Sequence, residues 1–99
     1  FDIDVLDPAF APGTGTPEPG GLLVREALSA VRRLCHELNV VGFEIVEVAP
    51  NNDSNYVTAL NAHRIVIEAI TGIAMRKLGI KGPNYLDPVT SGEESFPLG

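Results

Sequence analysis

The sequence predicts an α/β fold built on a parallel sheet, and three observations predict it. Residues 1–6 alternate, with Phe1, Ile3 and Val5 on one side and Asp2 and Asp4 on the other, which is the period-two pattern of a strand. Residues 40–48, VVGFEIVEV, are almost wholly apolar and mostly β-branched, as suits a strand covered on both faces. A helical pattern lies between them. Strand, long crossover and parallel strand make a βαβ unit, right-handed in nearly all known cases.

Each element follows in order. Asp7-Pro8 ends the first strand, because the residue before proline is restricted and Pro8 cannot donate to a ladder. Residues 8–21 hold four prolines and four glycines without periodicity. Loops of that length are usually functional or disordered, and the prolines favour a stiff, ordered path. Residues 22–38 read as a helix: Val24, Ala27, Leu28, Val31, Leu34, Cys35 and Leu38 recur at three and four. After Pro50 the polar run NNDSN offers Asp53 or Ser54 as a helix N-cap. Residues 57–78 read as a second, longer helix with Leu60, Val66, Ile67, Ile70, Ile73, Ala74 and Leu78 over a broad apolar face. Gly79 after Arg76 and Lys77 suits its C-terminus. Residues 80–99 have no period and read as an irregular tail, apart from a folded unit of residues 1–79.

Ninety-nine residues suffice for one small domain. Two strands and two helices, however, cannot cover a doubly buried parallel strand. The missing strands are expected from an upstream part of the protein or from another chain. Phe1 opens inside an apolar segment with no initiator Met, so the chain reads as the C-terminal part of something longer. A net charge of −6 argues against a nucleic-acid or anionic-membrane surface and is compatible with a cationic ligand. No run reaches the ~18 unbroken apolar residues of a membrane span. The single cysteine, Cys35, excludes an internal disulfide and reads as a buried thiol in a reducing, cytoplasmic compartment.

The aspartates carry the chemistry. On a strand, residues i and i+2 share a face with Cβ atoms roughly 6–7 Å apart, so Asp2 and Asp4 would aim two carboxylates at one volume. Such charges repel unless a cation sits between them or one is protonated. A hard divalent metal suits the donors, and ligands of open parallel sheets bind beyond the strands' carboxyl ends. An exposed strand end or a loop anchor is the alternative. Asp7 reads as a turn or capping residue, since Asp before Pro commonly bonds nearby amides. Glu47 ends an apolar strand, where a carboxylate is costly unless paired or at the sheet's mouth; there it could hold a positive substrate group. Glu44 has the opposite parity and reads as a structural partner. His36 and His63 fall on helices away from that mouth, in surface or packing roles. Two histidines and one cysteine supply neither a complete zinc site nor a Ser/His/Asp triad.

FDIDVLDPAFAPGTGTPEPGGL strongly resembles the third signature of the ureohydrolases, the arginase and agmatinase family. That signature runs Ser-Phe, Asp-x-Asp, Asp-Pro, Ala-Pro-Gly, Thr-x-Pro and Gly-Gly. VVGFEIVEVAP is similar to the family's following strand, and Thr58 to Leu60 to the start of its last helix. The resemblance spans residues 1–78, and its proline and glycine content points to the agmatinase-like branch. It implies a three-layer α/β/α fold around a central parallel sheet, of which this chain supplies the C-terminal strands and helices. It also implies two divalent metals, manganese or alternatively nickel, at the sheet's carboxyl edge. Asp2 falls where the family has a carboxylate bridging both metals, and Asp4 where it has a chelating ligand. Thr16 and Glu47 match positions lining the substrate pocket, with Glu47 facing the guanidinium. The remaining ligands and the proton-shuttling histidine belong upstream, so no catalytic residue is expected in these 99 and they would not act alone.

The implied reaction is hydrolysis of a guanidino compound to urea and an amine, with a negative pocket selecting the cation. Agmatine is the first expectation. Guanidinobutyrate, guanidinopropionate or free guanidine stay open, because Asn52, Asp53 and Ser54 replace the usual Tyr-Asp-His near the pocket mouth. Glu44 and Leu23 also depart from the common Asp and Ser or Thr. The upstream part of the domain and further copies of the chain, as a trimer or hexamer, are the partners implied. Two rival readings stand: a non-catalytic member kept for assembly or regulation, and a plain α/β module holding calcium or a cationic partner with oxygen ligands.

Overall fold

The computed structural model describes residues 1–80. Two helices dominate: α1, Val24–Glu37, and α2, Val57–Lys77. Short 3₁₀ turns at Ile3–Val5 and Pro50–Asn52 precede them. The described part of the core joins Ile3, Leu6 and Ala11 to Ala27, Leu28, Val31 and Cys35 of α1 and Ala62, Ile65 and Ala69 of α2.

The expected strands do not form among the described residues. What survives is their parallel sense, in two isolated bridges, Asp2 to Val46 and Leu6 to Leu22. Between the bridges the chain winds into the first 3₁₀ turn, with the Val5 amide donating to the Asp2 carbonyl at 3.2 Å and Leu6 to Ile3 at 3.2 Å. The cause is local. The Asp2 carboxylate accepts the Asp4 amide at 3.0 Å, a side-chain bond that competes with a ladder. The burial period therefore becomes three, as a 3₁₀ turn requires: Ile3 and Leu6 are buried, whereas Val5 is exposed. Residues 40–48 form no regular element, with only Val46 bridged, and Val41 is 92% exposed. A parallel strand needs neighbours on both edges and cover on both faces, and the described residues supply neither in full.

The helices fall where the pattern puts them. α1 buries Ala27, Leu28, Val31 and Cys35. The Glu26 carboxylate accepts the Leu23 amide at 2.9 Å, supporting a helix start whose own N-cap side chain is apolar. α2 ends in a Schellman motif: Gly79 at φ +68° donates to the Arg76 carbonyl, and Ile80 to Met75 at 3.0 Å. The tail expected for residues 80–99 lies outside the described residues, Ile80 excepted.

The buried face of α2 is not the one its large apolar residues suggest. Thr58, Ala62, Ile65, Glu68, Ala69, Gly72 and Met75 are buried, while Leu60, Ile67, Ile70 and Leu78 are exposed. The small residues let the helices close. A Cβ on Gly72 would lie 2.6 Å from the Arg32 carbonyl oxygen and 2.8 Å from Cys35 Cβ. Gly72→Ala is therefore expected to destabilise the fold by about 1–3 kcal/mol through overpacking, outweighing the roughly 1 kcal/mol that alanine gains in helix propensity. Thermal unfolding of variant and parent checks this; a raised Tm would show that the contact is looser than described.

Glu68, 2% exposed, bridges the helices. It pairs with Arg32 of α1 and, at 2.8 Å, with Arg64 one turn earlier on α2. Burial pushes its pKa up, but the bonds from Arg32 and then Arg64 outweigh that and hold it below the usual range. Cys35 is buried, as expected, and burial raises its thiol pKa, the condition of an inert structural cysteine. No helix among the described residues is long and apolar enough to cross a membrane.

Candidate active-site rim

Asp7 closes the base of the proline-glycine loop. Its carboxylate accepts the Ala9 amide at 2.9 Å and the Gly20 amide at 3.0 Å, and those two bonds, Ala9 first, lower its pKa. The capping role expected for Asp7 is thus what the structure holds. A Cβ on Gly21 would meet the Val5 carbonyl oxygen and the Asp7 nitrogen, each at 2.6 Å, so only glycine lets the loop's two ends pass this closely. Further along, the Asn61 side-chain amide donates to the Phe10 carbonyl at 2.8 Å, and the Gly13 amide to the Thr58 hydroxyl at 2.8 Å. The loop is held from both sides.

This path delivers Thr16 to Asp4. The Thr16 hydroxyl donates to Asp4 Oδ2 at 2.8 Å. Asp2, the N-cap of the first 3₁₀ turn, and Asp4, inside it, are both half-buried. They are thus on a turn, not paired on one strand face as the alternation suggested, yet they stay linked through the Asp4 amide. No bond to another described residue engages Asp2 Oδ2 or Asp4 Oδ1. No group of three or more His, Cys, Asp or Glu side chains able to hold a metal ion forms among the described residues.

Glu47 directly follows the residue bridged to Asp2. Val46 accepts the Ile3 amide at 3.2 Å and donates to the Phe1 carbonyl at 3.0 Å. Two residues beyond Glu47, the Ala49 amide donates to the Gly13 carbonyl at 2.7 Å. Between these fixed points Glu47 adopts φ +72°, a left-handed backbone rare outside glycine, with its side chain exposed. Such a conformation costs of order 1–3 kcal/mol and persists only where neighbours impose it. The rim thus joins Asp2, Asp4 and Thr16 through bonds, and Glu47 through the backbone beside it.

His36 and His63 stand apart from this rim. The His36 ring nitrogen Nε2 meets the Ile80 carbonyl at 2.6 Å, and His63 is exposed on α2. Asp53 is the helix cap the polar run suggested, though it acts from outside the helix: its two oxygens accept the Thr58 and Ala59 amides at 2.9 Å each. Burial raises its pKa, but the amides of Ala59 and Thr58 outweigh this and leave it lowered. Thr58 itself went unread as a site residue. Its one signal was a hydroxyl at the start of a helix of which it forms the buried face.

A model of the arginase family matches residues 1–72. The chain is 52% identical over 77 residues to the agmatinase of Escherichia coli O1:K1 / APEC, covering 78% of this chain and 25% of that protein. A crystal structure described as a hypothetical agmatinase from Burkholderia thailandensis superposes with a TM-score of 0.75 at 48% identity, over 80% of this chain and 25% of the other. The proclavaminate amidino hydrolase of Streptomyces clavuligerus does so at 0.72 and 49%, over 76% and 25%. The chain therefore spans about a quarter of the length of the relatives it matches.

Proposed function

The chain belongs to the arginase family, and on that premise we propose that it is one quarter of a ureohydrolase domain that cleaves a guanidino compound to urea and an amine. The fold proposed for that domain is a three-layer α/β/α sandwich around a parallel sheet. Its support here is the pair of parallel bridges and the exposed apolar residues of segment 40–48 and of α2, faces that further layers would bury.

One observation carries the functional reading: the bond between Asp4 and Thr16. It unites a residue proposed to hold metal with one proposed to line the substrate pocket. Asp2 and Asp4 are the proposed ligands of two manganese or nickel ions. The donor set fits: both carboxylates sit on one turn, each with one oxygen not bonded to another described residue, and all-oxygen donors suit a hard divalent cation. The two residues are too few alone, so the other ligands fall to the rest of the domain. Bound there, a pair of divalent cations supplies a nucleophile near neutral pH by lowering the pKa of water.

This chain's residues do the rest. The Asp4 amide orients the Asp2 carboxylate, and the Thr16 hydroxyl fixes that of Asp4. Glu47, turned outward by its left-handed backbone, binds the guanidinium with a charge-assisted bond. The substrate's far end is proposed as the amine of agmatine, with guanidinobutyrate, guanidinopropionate and guanidine as the other members of the class. Urea release from these four, with manganese or nickel supplied to the complete protein, tests the proposal. No urea from any of them would instead favour a non-catalytic member of the fold.

Glu47→Ala is expected to raise KM about ten- to a hundredfold, the worth of one bond to a charged group, with bound metal unchanged. Steady-state kinetics beside metal analysis checks both halves. An unaltered KM would remove Glu47 from the pocket.

A further inference from the structure

Three segments carry the proposed site: the 3₁₀ turn with Asp2 and Asp4, the loop with Thr16, and the stretch with Glu47. The turn binds the loop through Asp4 and Thr16, and it binds the Glu47 stretch through Ile3, Phe1 and Val46. The loop and the Glu47 stretch meet at one further place. There the Ala49 amide donates to the Gly13 carbonyl at 2.7 Å. The other side of Gly13 is pinned, its amide donating to Thr58 Oγ1 at 2.8 Å. Thr58 is in turn held by its backbone, since the Asp53 carboxylate accepts the Thr58 and Ala59 amides at 2.9 Å each. The site is tight: Thr58 is 0% exposed, and a Cβ on Gly13 would lie 2.7 Å from Asp53 Cβ.

We infer that Thr58 is a positioning residue for the substrate pocket, its hydroxyl setting the spacing between Thr16 and Glu47 through Gly13 and Ala49. The chemistry is specific. A hydroxyl oxygen accepts the Gly13 amide, and a methyl in its place does not. Gly13 is three residues from Thr16, and Ala49 is two from Glu47. Movement of this junction therefore moves both walls of the pocket and leaves the Asp2–Asp4 turn in place. The role in catalysis rests on the proposed function; the mechanical coupling does not.

Thr58→Val and Thr58→Ser in the complete protein test it. Thr58→Val keeps the volume and removes the bond to Gly13. It is expected to raise KM for the guanidino substrate about tenfold, one buried hydrogen bond's worth, with bound metal unchanged. Thr58→Ser restores KM to within about twofold, since it keeps the hydroxyl. Amide hydrogen exchange is read alongside: Ala49 and Gly13 should exchange at least about tenfold faster in Thr58→Val, while Val31 in the α1 core keeps its rate. A lower Tm with KM and Ala49 exchange both unchanged would reduce Thr58 to a structural cap and overturn the inference. If the parent protein releases no urea, the proposed function falls, and Ala49 exchange alone decides the coupling. Should Thr58→Val not fold, Asp53→Asn, which removes the charged acceptor, must speed Ala49 exchange selectively, and an unchanged rate there overturns the inference equally.

Discussion

Asp4→Ala in the complete protein is expected to lose bound divalent metal and at least about a thousandfold of its urea-releasing activity, some 4 kcal/mol of barrier. Asp2→Ala should do the same. The fold should survive both changes. Asp4 is half-buried and its side-chain bond to Thr16 is exposed, so its removal costs only about 0.5–1.5 kcal/mol. Asp2 loses the N-cap of a three-residue turn, worth about 1 kcal/mol. Near-native unfolding combined with collapsed activity separates a ligand from a structural residue. Thr16→Val is the control: it breaks the same bond and should keep the metal. Normal metal stoichiometry in both aspartate variants would contradict the assignment.

The largest effect on stability belongs to Glu68. Glu68→Ala should destabilise the fold by about 3–5 kcal/mol, because Arg32 would lose its carboxylate in a nearly water-free site. The Arg32 side chain is 12% exposed and Glu68 2%. Arg64, half in solvent at 53%, adds little to that figure. The pH dependence has a definite sign. The folded pKa of Glu68 is lowered, so its stabilisation is fully present above the ordinary glutamate value of about 4.3 and fades as pH falls through the folded value. Asp7 and Asp53, lowered likewise, act in the same direction. The protein should therefore be steady from neutral pH down to about 5 and loosen below about 4. Glu68→Gln should flatten that acid limb at a smaller cost in stability. Denaturant unfolding between pH 3 and 7, set beside the parent, measures both effects, and a parallel acid limb in the glutamine variant would show that Glu68 is not the group responsible.

Some elements were legible because their signal is local. α1 announces itself by its stripe from Val24 to Leu38, and the end of α2 by Gly79, whose left-handed backbone terminates the helix. Asp7 before Pro8 could be read as a cap for the same reason, since its partners Ala9 and Gly20 belong to the loop it closes. Most of what failed depends on partners distant in the chain, with residues 1–6 the local exception. Residues 1–6 carry the alternation of a strand, but one side-chain bond from Asp2 turns them into a 3₁₀ turn. Segment 40–48 has the composition of a buried strand without the neighbours that would make it one. The large apolar residues of α2 suggested its packing face, whereas α1 is approached through Ala62, Ala69 and Gly72. Glu68 and Thr58 are polar, and polar residues in a helical pattern read as solvent-facing until Arg32 and Gly13 are found opposite them. Of the rim, the resemblance pointed to Asp2, Asp4, Thr16 and Glu47, and the structure bonds the first three together. The junction of Gly13, Ala49, Asp53 and Thr58 behind them has no motif of its own.

The most direct test is anomalous diffraction from crystals of the complete protein grown with manganese or nickel. Two peaks are expected, about 2–2.5 Å from carboxylate oxygens, with Asp2 and Asp4 both in contact. Both aspartates turned away, with no anomalous density within reach of either, would contradict the metal centre and the hydrolase built upon it.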